Sequence, residues 1–107
     1  MINRDIEVER IIEIIYNGLY AGENSIPTKL RVYRELDREQ LKDIIEALDY
    51  AINYYKSKEF IPKKLAISMV DILTLFSFRE GFFNKDFSEE LESIGIELVE
   101  KAYELFS

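Results

Sequence analysis

The sequence predicts an all-α fold: an antiparallel four-helix bundle with an additional short helix after Pro27, built as one domain over residues 1–107. Three observations lead there. Apolar residues recur at spacings of three and four through four long segments, the period of a helix with one buried face. No stretch of useful length alternates apolar and polar residues as a half-buried strand would. The connections are short and punctuated by Gly22, Pro27, Pro62 and Gly81, which suits antiparallel neighbours.

The first helix is expected from about Arg4 to Tyr20. Val8, Ile11, Ile12, Ile15 and Leu19 form its stripe, and Ile14 stands off it against a neighbour. Gly22 stops it, and residues 21–25 form a loop. Ile26-Pro27-Thr28 opens the short helix, because proline in a first turn loses only an N–H that lacks an intrahelical partner. Leu30, Tyr33 and Leu36 are its expected apolar edge. Asp37-Arg38-Glu39-Gln40 has capping-box spacing and starts the next helix. Leu41, Ile44, Ile45, Leu48, Ala51, Ile52 and Tyr55 make its continuous face, ending near Lys58.

Phe60-Ile61-Pro62 restarts the chain. Leu65, Ala66, Met69, Val70, Leu73 and Phe76 read as the stripe of one helix that ends by Gly81 and Asn84-Lys85. Ser88 is the expected cap of the last helix, whose core face is Leu91, Ile94, Leu98, Ala102 and Leu105. Gly95 inside it costs about 1 kcal/mol relative to alanine, so close approach by another helix is the expected reason for it.

Hydrophobic residues make up 48% of the chain, enough for a core and against disorder. The net charge of −7 argues against nucleic acid as a partner, since binding phosphates needs a basic face. Without cysteine or histidine the chain cannot form disulfides, thiolate nucleophiles, Cys- or His-ligated metal sites or a Ser-His-Asp arrangement. No Gly-rich phosphate loop or calcium-loop spacing is present. No enzyme, cofactor or metal site is therefore expected. Arg4, Asp5, Glu7 and Glu9 interrupt any apolar leader, and Asp71 interrupts the longest apolar tract, Leu65 to Phe78. A cytoplasmic protein with at most peripheral membrane contact is expected.

Other residues carry two readings. Glu89, Glu90 and Glu92 at the start of the last helix suit its dipole. Asp71 either points outward beside Ser68 or is buried with a partner. From Asp86 onward seven acidic residues face one base, Lys101, whereas Lys56, Lys58, Lys63 and Lys64 crowd the turn at Pro62. This unevenness is either a solubilising surface or a bipolar one that orients a partner or an anionic membrane face. Phe76, Phe78, Phe82, Phe83 and Phe87 are core candidates, but Phe82-Phe83 beside Gly81 falls at a turn where neighbours cannot easily both point inward. The candidate partner-binding residues are therefore Phe82, Phe83, Lys56, Lys58, Lys63 and Lys64.

Tyr54-Tyr55-Lys56-Ser57-Lys58-Glu59-Phe60-Ile61-Pro62-Lys63-Lys64-Leu65 resembles the helix–turn–helix centre of the immunity proteins for pediocin-like (class IIa) bacteriocins. The resemblance implies a four-helix antiparallel bundle inside the producing cell. It implies protection without catalysis, through a protein partner: the complex of bacteriocin with a sugar-transporting membrane permease. It also implies that the C-terminal half carries specificity, here the Phe82-Phe83 turn and the last helix. Many members of that family are basic, and this chain is acidic. A different acidic interaction module, such as an antitoxin, a phage-derived inhibitor or a nucleic-acid mimic, is the alternative. The sequence leaves the oligomeric state open.

Overall fold

A computed structural model describes residues 2–107, with side chains from residue 6 onward. The side chains of Arg4 and Asp5, used above against a leader segment, lie outside the described set. The described residues form six helices and no strand: α1 (Ile2–Leu19), α2 (Ile26–Tyr33), α3 (Arg38–Tyr55), α4 (Lys63–Met69), α5 (Ile72–Leu75) and α6 (Lys85–Phe106). None of these helices is long and apolar enough to cross a membrane.

Local chemistry explains most of the boundaries. The chain leaves α1 through Gly22, at φ 91°. Ser25 caps α2 by accepting from the Thr28 N–H, and Pro27 sits in the first turn as expected. Arg34 ends α2 in the left-handed region, φ 56°, with its N–H on the Leu30 carbonyl. That early end leaves Tyr33 exposed, so it does not join the apolar edge proposed for it. Asp37 caps α3 through Oδ1, 3.0 Å from the Gln40 N–H. The Gln40 side chain does not close the box. Its Nε2 donates to the Asn24 carbonyl at 2.8 Å and its Oε1 accepts from Lys29 at 3.1 Å, tying the α1–α2 loop to α3. α3 ends at Tyr55, before the expected Lys58, whose N–H closes a turn on the Tyr55 carbonyl.

The last turn of α1 lies on the first turns of α3, with Gly18 beside Ile44 and Gln40, so these two helices run in opposite directions. α3 and α6 instead run parallel. The ion pairs Arg38–Glu90 and Lys101–Asp49 each join residues 52 positions apart, a constant offset along both helices. Phe76 and Leu73 lie against Gly95, while Met69 and Ala102 line one cleft further along, so α4 and α5 run antiparallel to α6. The core between them holds Val8, Ile12, Ile15 and Leu19 from α1, Ile44, Leu48 and Ala51 from α3, and Leu91, Leu98 and Leu105 from α6. Burial also raises the Tyr55 phenol above its ordinary range, the nearby Tyr54 adding to the shift.

Larger expectations also fail. The helix after Pro62 is not continuous. The Val70 N–H bonds back only three residues, to Ile67, Asp71 has φ −112° and ψ 23°, and a new turn starts when the Leu75 N–H reaches the Asp71 carbonyl. The Ser68 hydroxyl is buried and donates to the Lys64 carbonyl at 2.8 Å, a bond to the preceding turn that bends helices. The break changes the helical phase. Leu65, Ser68, Met69, Ile72 and Phe76 point inward, while Val70 and Leu73 are 67% and 51% exposed. Ser68 and Asp71 therefore do not share a polar stripe; Asp71 alone is exposed.

The last helix also begins a turn early. Asn84 Oδ1 accepts from the Phe87 N–H at 2.8 Å, so Asn84 replaces Ser88 as cap. Asn84-Lys85 starts this helix and does not end the previous one, because Gly81, at φ 88°, makes the turn between them. Gly95 has the expected reason: a Cβ there would stand 3.2 Å from Phe76 Cβ.

Candidate functional site

The segment from Phe78 to Phe87 gathers four phenylalanines. Phe78 stacks on Phe82 with ring centres 5.2 Å apart, and Phe83 meets Phe78, Phe82 and Phe87 edge-on at 4.8–5.0 Å. Neighbouring residues at a turn cannot both enter the core: Phe83, with Phe78 and Phe87, packs against its edge, and Phe82 does not. Phe82 and Phe83 are half-buried in each other and in their two companions. Arg34 completes the cluster from the end of α2. Its guanidinium lies 4.0 Å over the Phe82 ring and its Nη1 donates to the Phe82 carbonyl at 2.6 Å. Phe83 is thus the packing centre of the turn, while Phe82, equally half-buried, is held off the core by its neighbours and Arg34.

The four lysines lie at the other end of the molecule. The aromatic turn is tied to Arg34, just before α3, and the lysines flank the turn after it. The 18 residues of α3 separate the two places by about 27 Å at 1.5 Å per residue. The candidate residues therefore form two sites. Within the lysine group, Lys64 donates to Glu13 and lies 4.7 Å from the Tyr16 ring centre. Lys58 folds over Tyr54, 4.1 Å from the ring centre, and donates to the Tyr54 carbonyl at 3.1 Å. Lys56 and Lys63 are exposed, with no ion pair among the described residues. Between them Phe60 is 81% exposed.

A third surface was missed in the sequence. α6 carries apolar residues on two faces. The inner one was expected. The outer one is Ile96, Val99, Tyr103 and Phe106, spaced three, four and three, and three of these four are more than half exposed. With Val70 and Leu73, turned outward by the break between α4 and α5, it forms an apolar strip containing an open cleft of about 300 Å³. Exposed Asp71 adjoins Val70, and helical spacing puts Glu92 and Glu100 beside the α6 stripe. The 96/99/103/106 spacing carries the signal in the sequence, masked by the stronger inner stripe of the same helix.

Among the described residues no three acidic side chains converge to hold a metal ion. The shifted carboxyls instead belong to ion pairs near the surface. Lys29, with the Gln40 N–H, holds Asp37 below the usual carboxylate range; Lys64 does the same for Glu13 and Arg38 for Glu90. The hydrogen bond to Asp49 raises Lys101. A carboxyl lowered on folding contributes stability above its unfolded value and loses it as pH falls through the folded value. Thermal melts at low salt should therefore show Tm falling below about pH 5, by a small amount because these groups are solvated. Asp37→Asn, which keeps the cap, should flatten part of the fall. An identical pH profile for Asp37→Asn would contradict the assignment.

The described residues form an all-α fold of six helices with an aromatic turn at one end, a lysine-rich turn at the other and an apolar strip along α6. The chain matches no protein-family model, no curated protein and no solved structure.

Proposed function

We propose that this chain is a binding protein without catalytic activity, an immunity-type protein that protects a bacteriocin-producing cell from inside by holding a protein partner on the strip between α4–α5 and α6. In this reading the six helices make an up-and-down four-helix bundle, with α4 and α5 as its broken third arm and α2 as a link. The observation that carries the binding half is the outer face of α6. An apolar strip of that extent, left open on an otherwise charged helix, is characteristic of an interaction surface. The bacteriocin half is supported by the Tyr54–Leu65 resemblance.

The test is expression in a bacteriocin-sensitive strain challenged with a panel of class IIa bacteriocins. Protection by the wild-type chain is expected. Tyr103→Glu should abolish it with little change in Tm, because Tyr103 is 73% exposed. Phe82→Ala should weaken it if the aromatic turn also touches the partner. Unchanged killing across the panel would sink the immunity reading.

One observation favours a second reading. Asp71, Glu92 and Glu100 border the strip, which suits a basic partner of another kind, as for an antitoxin or inhibitor. Co-purification of a basic protein, lost at high salt and lost in Tyr103→Glu, would select it.

A further inference from the structure

The turn between α3 and α4 combines two features that nothing in the fold requires. Phe60 is the most exposed large apolar side chain among the described residues. It adds little to the core; its neighbour Ile61 packs there instead. The positions from Lys56 to Lys64 carry four lysines and one acid, Glu59, for a local charge of +3. The chain as a whole is −7, so the other 98 residues carry −10. The turn itself is positive on a negative protein, with an aromatic residue at its apex, while Glu9 and Glu13 lie on its α1 side. Ile6, 57% exposed, lines an open cleft beside it with Pro62 and Lys64, adding a second apolar point.

We propose that this end docks reversibly on an anionic lipid bilayer, with Phe60 among the headgroups and Lys56, Lys58 and Lys63 on lipid phosphates. An apolar ring flanked by lysines inserts at the boundary of headgroups and acyl chains while the lysines stay in water. Lysines gain from an anionic surface only within a Debye length of it, roughly 8 Å at physiological salt. The length of α3 keeps the acidic start of α6, roughly 27 Å from the turn, outside that range. Lys64 is the least available of the four because Glu13 holds it. One ring and three lysines without a lipid chain give weak, reversible association. The apolar strip on α6 has an acidic border and does not suit an anionic membrane, so the two surfaces are chemically distinct.

Sedimentation with lipid vesicles tests this. The full chain should pellet with phosphatidylcholine vesicles containing phosphatidylglycerol and stay in solution with phosphatidylcholine alone. Raising the salt should release it. Lys56→Glu with Lys63→Glu should weaken binding at least about tenfold, on the scale of about 1 kcal/mol per surface lysine. Phe60→Ser should weaken it without changing the salt dependence. All three residues are exposed, so circular dichroism and Tm should stay as in the wild type. Absence of pelleting, equal pelleting with both vesicle types, or unaltered binding by the lysine double variant would each overturn the proposal. Retention on a polyanion such as heparin without vesicle binding would also overturn it, leaving charge without a membrane role. Vesicles contain no protein partner, so failure here does not touch the proposed function, and failure to protect cells does not touch this one.

Discussion

Phe76→Ala should lower the free energy of unfolding by about 3–5 kcal/mol, the range for truncating a buried phenylalanine. Phe76 is 1% exposed and lies at the end of α5, where a short helix of four residues meets α6. Its Cβ is so close to Gly95 that α6 carries no side chain there. Removing the ring leaves a cavity that neither Gly95 nor a neighbouring side chain can fill. Urea titration followed by circular dichroism measures the loss as a lower midpoint at unchanged slope. Leu73→Ala supplies the contrast. In one continuous helix Leu73 and Phe76 would share a buried face and both truncations would be costly. With the phase change at Val70 and Asp71, Leu73 is half exposed and its truncation should cost less than about 1 kcal/mol. Similar losses for the two variants would mean that α4 and α5 are not rotated as described.

Gly18→Ala should destabilise the protein although alanine is the better helix former. In an open helix the exchange would stabilise by about 1 kcal/mol. Here a Cβ would stand 2.4 Å from Ile44 Cδ1 and 2.8 Å from Ile44 Cγ1. The terminal methyl can move, but Cγ1 is near the backbone and Ile44 is fully buried, so relief requires α1 and α3 to separate. Overpacking of this kind costs about 1–3 kcal/mol, which offsets the propensity gain of about 1 kcal/mol and leaves a net loss of up to roughly 2 kcal/mol. Ile44→Ala removes the opposing atoms. The double variant should therefore be more stable than the two single losses added together, by about 1 kcal/mol or more of coupling. Additive losses would show that the two residues do not share the contact.

The parts legible in the sequence are those that depend on a few consecutive residues. The stripes of α1, α3 and most of α6 follow from helical period alone, and the cap at Asp37 and the first-turn position of Pro27 follow from local backbone chemistry. The candidate site was less legible. Phe82 and Phe83 stand out in the sequence as unable to enter the core together, but two further rings and Arg34, 48 positions away, decide how each is covered. The lysines were found by composition. Their distance from the aromatic turn is set by the length and direction of α3.

By itself, the sequence determined an all-α chain, where most helices lie and which residues form the main core, because backbone hydrogen bonding and side-chain period repeat every few residues. Tertiary structure decided the rest. It fixed the phase of α4 and α5, the close approaches at Gly18 and Gly95, and the parallel run of α3 beside α6. It also decided which apolar residues stay outside. A break of one or two residues rotates everything after it by about 100° per residue. No local pattern records that rotation, because it is selected by what the turned face meets, here Phe76 against Gly95, with Val70 and Leu73 left in solvent.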